Sequence, residues 1–200
     1  MAAAKATCYY MLSLDTVPSA LTGLITQLLE LLIPLVKQAE FQDQAADIFS
    51  YIIELAEVHA KLFKQVFPNL LEFCCSIMKD KNAESEVKHA ALELILTIME
   101  ISPGMVKKHA NIAPTLIPIM MEWMSELEDD EDWYTTEDLG DTENDTNDVI
   151  AEQALDRVAR ALGGKPVLPV AFGLIPQMLS SSSWQHRHAA LYSISCIAEG

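Results

Sequence analysis

Two short stretches constrain this chain more than anything else in it. Lys88-His89-Ala90-Ala91-Leu92 and Arg187-His188-Ala189-Ala190-Leu191 share one order of residue types, base, histidine, small, small, large. The match runs on, so that Ile98 and Glu100 correspond to Ile197 and Glu199. Gln153-Ala154-Leu155-Asp156-Arg157-Val158 is a weaker copy, and Gln44-Ala45-Ala46-Asp47-Ile48 a degenerate one. A second signature, apolar residues followed by proline, alternates with the first: Leu32-Ile33-Pro34, Leu116-Ile117-Pro118, Leu174-Ile175-Pro176 and, more loosely, Val66-Phe67-Pro68. Small residues let two helices approach closely, and the large residue beside them fills the space between layers. Alternation of two helix types therefore predicts a repeated helical hairpin.

Apolar spacing places the helices at 3–14, 20–37, 42–58, 62–79, 84–101, 105–127, 148–162, 166–180 and 184–198. Ser102-Pro103-Gly104 and Gly163-Gly164 read as stops, and Pro34 is expected to bend or shorten the end of its helix. No run of alternating apolar residues between turn signals predicts a strand. Connections of a few residues make consecutive helices antiparallel neighbours. The fold class is all-α: a right-handed α-solenoid of HEAT repeats, with a unit of roughly 40–47 residues. About four hairpins are expected, at 20–58, 62–101, 105–162 and 165–198. The leading helix, 3–14, reads as the second helix of a preceding hairpin. Terminal hairpins of a solenoid carry a polar outer face. Neither end has one, which predicts a piece of a longer array.

The third hairpin is long because it contains 128–148, which carries eleven of the chain's 29 acidic residues and no Lys or Arg. Its densest part is Glu128, Asp129, Asp130, Glu131 and Asp132, followed by Trp133 and Tyr134. The repeat register sets this stretch between the two helices of one hairpin, so it loops out of the stack. A charged insertion holding a bulky aromatic is a candidate binding element, weighed against a merely solvated charge run. The formal net charge of -16 argues against a nucleic-acid surface, which needs cations to neutralise phosphates, and against an anionic membrane surface. A basic protein is the natural complement. The apolar stretch 21–36 contains Gln27 and Glu30 and does not read as a membrane insertion. Cys8, Cys74, Cys75 and Cys196 show neither CxxC nor secreted-domain spacing and read as buried, reduced thiols of an intracellular protein.

Motifs for chemistry fail one by one. Gly163-Gly164-Lys165 is neither a P-loop nor a dinucleotide fingerprint. His186 and His188 are two residues apart, whereas helical zinc ligands stand at i and i+4. Asp141, Glu143, Asp145, Asn147 and Glu152 fit positions 1, 3, 5, 7 and 12 of a calcium loop. Position 6 is Thr146 where the turn requires glycine, and position 8 is Asp148 where an apolar residue is usual. No cofactor, metal or catalytic residue is expected, and the chain does not read as an enzyme.

One ordered series of motifs remains: Glu128-Asp129-Asp130-Glu131-Asp132-Trp133, an acidic linker, Ala154-Leu155-Asp156-Arg157, Leu162-Gly163-Gly164-Lys165-Pro166-Val167-Leu168-Pro169, and Trp184-x-x-Arg187-His188-Ala189-Ala190-Leu191. From about Lys64 onward it resembles the importin-beta (karyopherin-beta) nuclear transport receptors, nearest the Ran-binding protein five or karyopherin beta three subfamily. The resemblance is loose before that. It implies a segment of a HEAT solenoid that carries cargo through nuclear pores and releases it on binding Ran-GTP. It implies that the partners are the Ran GTPase, basic cargo with nuclear localisation signals and, in a full-length receptor, nucleoporins, with shuttling between cytoplasm and nucleus. By motif position the acidic loop, Glu128 to Trp133, would touch Ran or cargo, and Arg157, Arg187 and His188 would face or border the concave groove. The alternative is a HEAT scaffold subunit indifferent to Ran.

Overall fold

The computed structural model describes residues 2–127 and 146–198; 128–145, which include the acidic loop candidates Glu128 to Trp133, lie outside them. Ten α-helices are defined among the described residues: α1 (Ala2–Leu12), α2 (Gly23–Val36), α3 (Gln42–His59), α4 (Phe67–Lys79), α5 (Ser85–Ile101), the short α6 (Pro103–Val106), α7 (Ile112–Trp123), α8 (Asn147–Leu162), α9 (Gly164–Leu179) and α10 (Trp184–Ala198). Among these residues there is no strand. The stacked helical hairpins make the fold an all-α HEAT-repeat solenoid.

The chain divides into two compact units, Met1–Leu116 and Ile117–Gly200. In the first, α3 packs against α1, α2 and α5, and α5 packs against α4. Helices α1, α3 and α5 therefore form one layer, with α2 and α4 behind it. α3 turns Ala45, Ile48, Phe49, Ile52, Leu55 and Ala56 inward, all essentially inaccessible. The inward spacing of three and four residues is the amphipathic helical period. Burying each such large side chain contributes about 1.5–3 kcal/mol. Ser19–Val36 has the length and hydropathy to cross a membrane; here its Ile25, Leu28, Leu32 and Val36 are buried in a helix that packs on α3. Gln42 is the one amide in this core. Its Oε1 accepts from the Glu84 backbone N–H at 2.6 Å, and its Nε2 donates to the Asn82 carbonyl at 3.4 Å. One side chain thus fixes the start of α3 to the turn that opens α5.

In the second unit α10 packs on both α8 and α9. Ala189 and Ala190 are fully buried, which is the close approach their small size permits. Ser193, buried beside them, donates to the Ala189 carbonyl at 2.7 Å and lies 3.6 Å from the Met124 sulfur.

The structure corrects several boundaries. The helix expected over 105–127 is broken into α6 and α7, with the chain turning at 107–111. Pro103 opens α6, and Pro114 falls in the first turn of α7, where a missing N–H leaves no hydrogen bond unmade. Likewise 3₁₀ turns at Ser19–Leu21 and Ala60–Lys64 precede α2 and α4 instead of being continuous with them. Pro34 lies inside α2, which continues to Val36. Leu191, the large residue of the repeat motif, does not fill a space between layers: it is 60% exposed, and Ile194 on the same helix is 43% exposed. They face away from α8 and α9, the helices that α10 packs on, whereas Leu92, the counterpart of Leu191, is enclosed in its layer.

Gly163 ends α8 with φ 78 and ψ 167 and donates to the Ala159 carbonyl at 2.8 Å. That backbone region belongs almost entirely to glycine. A Cβ there meets nothing within 4 Å, so the cost of Gly163→Ala is conformational and is expected at about 1–3 kcal/mol. Gly173 is helical, exposed and equally uncrowded, so Gly173→Ala is expected to stabilise by about 0.5–1 kcal/mol. Urea unfolding of the two variants beside the parent checks the pair; the same sign for both contradicts the assignment of strain to Gly163.

Candidate partner-binding surface

The face of α3 opposite its core stripe is a line of polar residues. Asp43, Asp47, Ser50, Glu54 and Glu57 are all exposed and recur at steps of four, three, four and three, which keeps them on one side of the helix. On α5, Glu86 and Glu100 are exposed and Glu93 is half-buried, again on one side at a step of seven. Glu93 accepts from the Thr97 hydroxyl at 3.2 Å. α3 packs directly on α5, so the two carboxylate lines belong to neighbouring helices of one layer, whose axes in such packing lie about 8–10 Å apart. Basic groups of the same layer are Lys5 on α1, His59 at the end of α3, and Lys88 and His89 on α5. The surface suits an extended basic segment lying across the helices. In the sequence this surface is carried by the regular spacing of Asp47, Glu54 and Glu57, a far sparser charge pattern than that of 128–148.

Near the acidic stretch, the described ends lie together: Asn147 Nδ2 donates to Glu126 Oε2 at 2.6 Å. In α8, Asp148 and burial both act on Glu152, whose carboxyl is raised first by desolvation and then by that neighbouring charge. Arg157 is half-buried on α8, and one turn away Arg160 Nε stands 3.0 Å from Asp156 Oδ1. On α10, Arg187 is exposed but folds back, its Nη1 donating to the Ser181 and Ser182 carbonyls at 2.8 and 2.9 Å. It secures the turn before its own helix. His188 is half-buried between two rings, edge-on to Trp184 at 6.2 Å and tilted against Tyr192 at 4.8 Å.

One cleft of about 710 Å³ opens between α4 and residues 108–115, with Pro68, Leu71, Cys75, Lys79, Lys108 and His109 among its walls. Burial pushes the Cys75 thiol up to about 11, against a smaller lowering by Lys79. Cys8 is also pushed up to about 11, by burial and then by the charge of Glu54. Neither thiol carries an appreciable thiolate fraction near neutral pH, so neither is placed for nucleophilic chemistry.

Stacked helical hairpins of this kind define a HEAT-repeat protein. Residues 80–169 match the family described as "Importin repeat", and residues 1–73 match "IPO5-like, TPR repeats". The chain is 37% identical over 162 residues to importin subunit beta-3 of Saccharomyces cerevisiae, covering 79% of this chain and 15% of that protein. It is also similar to solved structures of the yeast karyopherin Kap121p. The one bound to RanGTP superposes with a TM-score of 0.84, and the one bound to Nup53p with 0.88. Both are 33% identical and cover 99% of this chain and 20% of theirs. The complex with Pho4p gives a TM-score of 0.87 at 33% identity over the same shares. The chain belongs to the importin-beta (karyopherin-beta) family and spans about a fifth or less of the length of these relatives.

Proposed function

We propose that this chain is the part of a nuclear import receptor that engages basic cargo and Ran-GTP, as a binding surface without catalysis or cofactor. The observation that carries the reading is the pair of carboxylate lines on α3 and α5, set on a backbone that superposes on Kap121p in its complexes with RanGTP and Pho4p. An acidic face recognises lysine- and arginine-rich localisation signals through charge, which steers encounter and weakens with salt. The hairpins are 20–58, 62–101, 105–162 and 165–198, and the acidic stretch placed at 128–148 loops out of the third as far as Thr146, since α8 begins at Asn147. The hydrogen bond between Glu126 and Asn147 supports that placement by closing the base of the excursion. Within the loop, Glu128 to Asp132 meet basic faces of Ran or cargo, and Trp133 supplies an apolar anchor inside a charged rim. Arg157, Arg187 and His188 border the groove. The receptor shuttles between cytoplasm and nucleus with association at the pore, and Kap121p's complex with Nup53p supports a nucleoporin as a further partner.

A HEAT scaffold without a Ran link predicts different behaviour. Immobilised chain is expected to retain RanGTP over RanGDP at low salt. Combining Asp129→Asn, Asp130→Asn, Glu131→Gln and Asp132→Asn is expected to weaken both RanGTP and basic-peptide binding about five- to tenfold. Equal retention of the two nucleotide states favours the scaffold, and unchanged binding by the neutralised chain removes the loop from the interface.

A further inference from the structure

We propose that Tyr9 and Tyr51 form a seat for one lysine or arginine side chain of a basic partner, and that Lys5 occupies this seat until the partner displaces it. The proposal rests on the reading of the α1, α3 and α5 layer as a surface for basic segments, and assigns one subsite within it.

Tyr9 on α1 and Tyr51 on α3 stand with ring centroids 5.9 Å apart and planes tilted by 53°. The Lys5 ammonium lies 5.7 Å from the Tyr9 centroid and 5.3 Å from that of Tyr51. Both distances are within the reach over which an aromatic face attracts a cation. The seat is open, since Tyr9 is 46% exposed and Tyr51 half-buried. It adjoins the carboxylate line of α3: Asp47 is one turn before Tyr51, and Glu54 is three residues after it. Glu54 also lies close enough to α1 for its charge to act on Cys8, the residue before Tyr9. A cation entering here therefore meets two ring faces with carboxylates beside them.

Lys5 is the internal stand-in for that cation. Exposed cation–π contacts are weak, so exchanging one lysine for another is close to neutral, and the surrounding carboxylates tip the balance toward a partner carrying several cations. Arginine, which stacks on rings and is less strongly hydrated than an ammonium, displaces Lys5 more readily than lysine does. If instead the contact only pins α1 to α3, the two tyrosines contribute to stability and do not discriminate between ligands.

The test uses the whole chain and two labelled octapeptides, alternating Gly-Lys and alternating Gly-Arg, titrated at low salt and followed by anisotropy. Tyr9→Leu with Tyr51→Leu leaves net charge unchanged and is expected to lower affinity about threefold for lysine and more for arginine. Lys5→Ala removes a repelling charge as well as the competitor, so it is read as a cycle. Its gain, expected at about three- to fivefold in the parent, shrinks to the charge effect alone in the double-leucine background. Equal Lys5→Ala gains in both backgrounds, or full affinity without the tyrosines, overturn the seat. Glu57→Lys with Glu86→Lys, both exposed and neither beside the two rings, assayed in parallel, isolates the wider reading. If that reversal is silent while the tyrosine cycle holds, the acidic surface fails and the seat stands; if neither peptide binds the parent, both fall. Circular dichroism of each variant confirms that the helices are retained.

Discussion

Phe49→Ala is expected to destabilise the first unit by about 3–5 kcal/mol, the range for removing a fully buried aromatic. Phe49 has no accessible surface and sits at the middle of α3, the helix that touches α1, α2 and α5 together. Truncation leaves a void among three helix contacts, and close-packed helices relax only partly into such a space. The damage should also be local. Stability in a repeat protein is a sum of unit and nearest-neighbour terms, so amide exchange is expected to accelerate first in α1, α2, α3 and α5. Urea unfolding followed by far-ultraviolet circular dichroism gives the magnitude, and hydrogen exchange gives the location. A loss below about 1 kcal/mol contradicts the central place given to this side chain.

The same helix explains why so much of the fold was legible. Ala45, Ile48, Phe49, Ile52, Leu55 and Ala56 recur at helical spacing, and all are buried. Periodicity records which face a helix must hide. Alternation of the two helix types then records how hairpins stack, because Ala91 in α5 and Ala190 in α10, equivalent positions of the repeat, are both fully buried. The turn at 107–111 was less legible. Met105, Val106, Ile112 and Ala113 read as one apolar stripe, and only the position of Pro114 in the first turn of α7 marks the break. Leu191 shows a different limit: its residue type fits a core, yet whether it is covered depends on which helix stands beside it. The candidate surface was harder still. Polar residues on a free face obey no packing rule, and Asp47 and Glu54 gain meaning only once α3 and α5 are known to lie side by side. The Lys5, Tyr9 and Tyr51 cluster joins residues of two helices, and nothing in their sequence separation announces it.

Reversing the α3 line with Asp47→Lys, Glu54→Lys and Glu57→Lys is expected to lower affinity for a lysine- and arginine-rich signal peptide about 30- to 100-fold at low salt. Each exposed ion pair contributes only about 0.2–1 kcal/mol, but three reversals replace three attractions by three repulsions in one lane. Asp43 is left in place because it stands in the first turn of α3, where a carboxylate favours the helix dipole. Lysine has at least the helix propensity of the residues it replaces, and all three positions are exposed, so thermal unfolding should shift little. Salt separates charge recognition from damage to the fold. Between about 0.05 and 0.5 M salt the parent should lose much of its affinity and the triple variant little, because screening acts on the attraction that the variant no longer has. A variant that keeps parental affinity shows that the peptide lies elsewhere. One that loses affinity equally at every salt concentration shows that the substitutions altered the α3 surface by shape and not by charge. With the parental salt dependence and a folded triple variant, the α3 line is the part of this chain that reads basic cargo.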